Sequence, residues 1–96
     1  MKAERIRDEF ELLAQKLGYS VRYEKGDFRG DACRINSEKV IIINKLIPIS
    51  HQNYAFSRIF AEENLESINV LPVLRMMMEE ILETEPESGS EGAENA

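Results

Sequence analysis

The chain predicts an α+β domain: a three-stranded antiparallel β-meander packed by an N-terminal helix and two C-terminal helices. Three observations carry this. Apolar residues recur at helical spacing from Ala3 to Leu17. Three strand-like runs follow between Tyr19 and Asn44, joined by short polar connections. Two further helical stripes, separated by a loop and a proline, fill the chain as far as residue 84.

Ala3, Ile6, Phe10, Leu13, Ala14 and Leu17 form one stripe, with Glu4, Arg7, Asp8, Glu11 and Gln15 elsewhere, which predicts helix over 2–17. Gly18 follows the last apolar position, where a left-handed residue ends a helix without Cβ strain. Tyr19, Val21 and Tyr23 alternate with Ser20, Arg22 and Glu24, the period of a strand with one covered face. Lys25-Gly26-Asp27 reads as a turn. Phe28 to Ile35 reads as the second strand, with a bulge expected at Gly30, where the alternation changes phase. Asn36-Ser37-Glu38 is a second turn, and Lys39 to Asn44 the third strand. Two short connections in succession predict the meander.

The stretch from Val40 to Glu62 organises the rest. Val40, Ile41, Ile42 and Ile43 put branched side chains on both strand faces. Either both faces are covered within the domain or one joins a partner. Pro48 ends the strand, Ser50 is a good N-cap, and Ile49 with Tyr54 occupy hydrophobic-staple positions. Ala55, Phe56, Ile59 and Phe60 then define a helix over about 51–64. Pro72 suits a first helical turn, and Val73, Leu74, Met77, Met78, Ile81 and Leu82 predict helix over 72–84, with Met76 outward. Residues 1–85 are read as one domain and 86–96, rich in Glu, Ser and Gly, as a disordered acidic tail.

The net charge of −6 is unevenly placed. Seven of the eighteen acids lie beyond Arg75, which leaves eleven against twelve bases in residues 1–78, a net of +1. Arg22, Lys25, Arg29, Arg34, Lys39 and Lys45 cluster around the strands, but Glu24, Asp27, Asp31 and Glu38 dilute them, which argues against a nucleic-acid surface. No run reaches the length of a membrane span, no signal-peptide region opens the chain, and a single cysteine allows no internal disulfide, so a cytoplasmic location is expected.

Candidate chemistry is sparse. His51 is the only histidine and Cys33 the only cysteine, whereas a zinc site usually needs several such ligands, so no metal, cofactor or catalytic residue is assigned. The expected settings are an exposed imidazole at a helix N-terminus and a half-buried strand thiol. Gly26-Asp27-Phe28-Arg29-Gly30 lies between strands, whereas a phosphate loop runs from strand into helix. Arg58 and Glu62 stand four apart on one helix face, as do Arg75 and Glu79.

The order helix, strands, apolar strand, proline elbow, helix, with Asn44 to Ser57 as the elbow and the start of the last helix, resembles the zincin-type domain of ImmA/IrrE-like metallopeptidases. In that family the helix carries His-Glu-x-x-His. Here the matching positions read Arg58-Ile59-Phe60-Ala61-Glu62, so both metal histidines and the base glutamate are replaced. The resemblance covers residues 1–64 and implies a catalytically inactive relative. The runs Gly26 to Gly30, Cys33 to Asn36 and Ile41 to Asn44 are also similar to a pattern in small bacterial proteins, a resemblance that implies no activity.

The expectation is a small non-catalytic module that binds a protein partner or itself, with Tyr54, Arg58, Glu62 and Arg75 as contact residues. The alternatives are a metal-dependent hydrolase using His51, Glu62 or Glu63, and a weak nucleic-acid binder using the basic hairpin.

Overall fold

A computed structural model describes residues 1–84. The elements are α1 (Ala3–Lys16), β1 (Tyr19–Glu24), β2 (Gly30–Ile35), β3 (Glu38–Asn44), α2 (Ile49–Phe60) and α3 (Pro72–Thr84). Three helices and a three-stranded sheet make an α+β domain, as expected. Residues 85–96, which include the expected tail, lie outside the described residues.

The sheet is not a meander. Its order is β1-β3-β2, with β1 parallel to β3 and β2 antiparallel to it. The chain leaves β1, passes over the place β3 will take, and returns through β3 between its two predecessors. Residues 25–29 allow this because they form a five-residue connection rather than a tight turn. Asn44 then pins it: its side-chain amide donates to the carbonyls of Gly26 at 2.9 Å and Phe28 at 2.6 Å. The Asn44 Oδ1 accepts the Leu46 N–H at 2.9 Å, which begins the elbow into α2.

The central position explains the four branched residues of β3. Val40, Ile41 and Ile43 are buried, and Ile42 is half-buried. Ile41 and Ile43 face the helices and join Phe10, Leu13, Ala55, Phe56 and other residues in the core. Phe10, Phe56 and Phe60 stack at centroid distances of 5.4 to 6.1 Å and tie α1 to α2. α1 and α2 both lie on this face of the sheet, while α3 packs on α2 and α1 and not on the strands. Among the described residues the other sheet face, with Ser20, Arg22, Ile42 and Cys33, has no element over it.

Four local expectations are corrected. The register from Gly30 to Ile35 is continuous, so there is no bulge; Gly30 is small because α2 passes close to it. α2 starts at Ile49 rather than after Ser50, since Pro48 already holds φ −58° and its carbonyl accepts the N–H groups of His51 and Gln52. Ser50 makes no cap, and the staple positions shift away from Ile49 and Tyr54. α2 ends at Phe60, with Ala61 as its C-cap; the Glu63 N–H donates to the Phe60 carbonyl at 3.0 Å in a tighter turn, and the Glu63 carboxylate accepts the Tyr19 hydroxyl at 2.7 Å. Finally, Cys33 and Leu82 are exposed rather than half-buried and buried. Elsewhere the pattern reads true: Gly18 ends α1 at φ +84°, Pro72 opens α3, and Met76 points outward.

Candidate functional site: the outer edge of β2 and its cleft

In the order β1-β3-β2, β2 is an edge strand. Ladder geometry decides which of its backbone groups face outward. The Asn44 N–H donates to the Arg29 carbonyl at 2.9 Å, so these two residues form a hydrogen-bonded antiparallel pair. Alternation along the register turns the backbone groups of Asp31, Cys33 and Ile35 toward β3, and those of Gly30, Ala32 and Arg34 away from the sheet.

A cleft of about 390 Å³ runs along this edge. Arg29, Gly30, Asp31 and Ala32 form one wall. Tyr54, Arg58 and Ile59 of α2 form the other, with Glu62 and Glu63 at its end. α2 comes this close because both contact residues are small. A Cβ built on Gly30 would lie 3.1 Å from the Ala55 Cβ and 2.7 Å from the Ile43 Cδ1.

The direction of α2 is fixed by a buried polar set at its start. The Gln52 side-chain amide donates to the carbonyls of Asn44 at 3.1 Å and Ile47 at 3.3 Å, and its Oε1 accepts from Arg7 of α1 at 3.1 Å. The Asn53 amide donates to the Ala3 carbonyl at 3.0 Å. These bonds tie the elbow, α1 and α2 together, so the cleft wall is rigidly mounted. Two tyrosines tie β1 to the helices. Tyr23 donates its hydroxyl to Glu11, and Tyr19 to Glu63. Burial first, and then the adjoining carboxylate, raises the pKa of each phenol above its ordinary value; Arg34 partly offsets this at Tyr19, and Arg7 at Tyr23.

Of the four contact residues expected from the sequence, Tyr54, Arg58 and Glu62 line this one cleft. Arg75 does not. It lies in a separate groove between α2 and α3, beside Glu66, Glu79 and Leu82. The backbone of Gly30 and Ala32 escaped the sequence reading, because a meander makes β2 an inner strand. Placed centrally, β3 turns the same residues into an edge.

Other expected constellations do not converge. His51 is exposed in the first turn of α2, while Glu62 and Glu63 follow its far end, roughly 15 Å away along the helix axis. Among the described residues, no group of three or more His, Cys, Asp or Glu side chains is placed to hold a metal ion. The basic residues are divided: Arg22 and Arg34 stand on opposite sheet faces, and Lys39 lies 4.4 Å from the Tyr19 ring centroid while donating to the Leu17 carbonyl. No helix among the described residues is long and apolar enough to cross a membrane. Comparison of the chain with protein-family models, curated proteins and solved structures finds no match.

Proposed function

We propose that this protein is a non-catalytic interaction module that takes an extended polypeptide segment along the outer edge of β2. One observation carries the reading: Gly30 and Ala32 direct edge backbone groups out of the sheet, with no strand of the described residues beyond them, beside a cleft whose opposite wall is α2. An added strand gains main-chain hydrogen bonds from such an edge, and alternate side chains of the segment meet the adjoining wall. Tyr54 offers an amphipathic ring to the segment, while Arg58 and Glu62 offer charges of opposite sign. Five of the ten residues that line the cleft are charged, Arg29, Asp31, Arg58, Glu62 and Glu63, which fits a peptide better than a small apolar ligand.

Within the same reading, the chain is proposed to be a degenerate relative of the zincin-like domain that its sequence resembles. Arg58 and Glu62 hold the positions that the two metal histidines take in the resembling metallopeptidases, and both line the cleft. An arginine there repels a divalent cation rather than binding it.

The test is selection of peptides from a displayed random library against the immobilised protein. Selected peptides should lose binding to an Ala32→Pro variant and to an Arg58→Glu, Glu62→Lys variant, and keep it to Arg75→Ala. Peptides that bind all three variants alike would refute the site. Stoichiometric zinc in natively purified protein, measured by elemental analysis, would refute the non-catalytic reading.

A further inference from the structure

The docking edge is already occupied at its centre. Gly30, Ala32 and Arg34 face outward, and the middle of the three, the Ala32 N–H, donates to Asp31 Oδ1 at 2.8 Å. A strand adding to β2 needs that N–H for its own carbonyl, so it must first displace the carboxylate. Asp31 stands on the uncovered sheet face, in line with Arg29 and Cys33, and is exposed.

Symmetry gives Asp31 a second effect. A second copy pairing antiparallel through β2 would do so about a two-fold axis. The registers that use most of Gly30–Ile35 centre on residue 32 or 33. The first sets Cys33 of the second copy opposite Asp31 and places the two carboxylates on a diagonal, where like charges destabilise strand pairing. The other sets Ile35 of the second copy opposite Asp31. Neither brings a cation to draw the carboxylate off the Ala32 N–H. A foreign segment with a lysine or arginine in that place meets the reverse situation. Its cation draws the carboxylate off the Ala32 N–H and leaves that donor for the segment's own carbonyl.

We propose that Asp31 is the gatekeeper of this edge, rejecting a second copy of β2 and admitting an extended segment that carries a cation opposite it. The inference rests on the docking role given to the edge above. It makes Asp31 a specificity residue rather than a bystander on an exposed strand.

Sedimentation equilibrium across the micromolar range tests the rejection. Wild-type protein should run as a monomer, and Asp31→Ala and Asp31→Val should each reach twice the monomer mass reversibly with concentration. Adding Ala32→Pro should return both to monomer. That N–H faces outward, so the proline removes the docking donor without costing a ladder bond. Variants that stay monomeric while folded, or dimers that survive the proline, would overturn the proposal. Hydrogen exchange reads the bond itself: the Ala32 amide should exchange several-fold faster in Asp31→Ala, and an unchanged rate would count against the latch.

Two synthetic peptides of alternating threonine and valine, one with a central lysine and one with a central glutamate, test the admission. The lysine peptide should bind several-fold more tightly to wild type, and the difference should vanish in Asp31→Ala. Equal binding of the two to wild type overturns the specificity claim alone. Failure of library-selected peptides to map to β2 would instead refute the docking role.

Discussion

Gly30 is where the sheet and α2 come closest, and it sets the width of the cleft. Any Cβ there meets Ile43, Ala55 and the Ile42 carbonyl within 3.2 Å. Gly30→Ala should therefore destabilise by about 1–3 kcal/mol, an overpacking cost, read as a lower urea midpoint at unchanged slope. Asn44 acts on the same region from the other side. One buried side chain satisfies two carbonyls and one N–H across two connections. Asn44→Ala leaves these groups to find other partners and should cost about 2–4 kcal/mol in the same assay. Tyr23 gives a pH signature. Its folded pKa stands above the ordinary value because of burial and the Glu11 carboxylate. The neutral phenol is thus favoured in the folded state, and its contribution is whole below about pH 10 and lost as pH rises toward the folded value. Thermal melts from about pH 8 upward should show a steep alkaline fall in wild type and a shallower one in Tyr23→Phe.

The β2–β3 hairpin turns on Asn36 and Ser37, both with positive φ, at 52° and 76°. Two left-handed residues in a two-residue loop make the turn that matches strand twist, and glycine serves best at the second. Ser37→Gly should raise stability by about 1 kcal/mol, measured by denaturant titration. This turn, α1 and α3 were legible in the sequence because each depends on local chemistry: Gly18 and Pro72 mark ends, and the stripes of Phe10 and Leu74 repeat at 3.6 residues. The strand order was not legible. Alternation in Tyr19–Glu24 gives the covered face of β1 but not its neighbour. The connection at 25–29 looks like a turn until Asn44, fifteen or more residues later, is seen holding its carbonyls. The end of α2 was misjudged for a similar reason. The helical period continues past Phe60 to Glu63, whereas in the fold Glu63 lies beyond the helix and accepts a hydroxyl from Tyr19, far back in the chain. The site inherits both limits. Tyr54 and Arg58 could be placed on one helix face from spacing alone, whereas Gly30, Asp31 and Ala32 gained their role only once β3 stood at the centre.

At the scale of the molecule, two helices cover one face of a small mixed sheet, and its antiparallel outer strand borders the cleft. The contacts that fix this cleft join parts of the chain far apart in sequence: Gln52 of α2 to Arg7 of α1, Tyr19 of β1 to Glu63, and Phe10 of α1 stacked on Phe56 and Phe60 of α2. A frame so tied presents the edge without needing to rearrange, so an incoming segment bears most of the ordering cost. Binding should accordingly leave the backbone of α1 and α2 in place and shift only the Asp31 side chain and the cleft-facing groups. The most direct measurement is an isotope-filtered NMR experiment on the complex with a library-selected peptide. Interstrand contacts from the peptide backbone to Gly30, Ala32 and Arg34, with new protection of those three amides, are the result this account predicts. Contacts confined to the uncovered sheet face or to the α2–α3 groove, with the three amides unchanged, would contradict it.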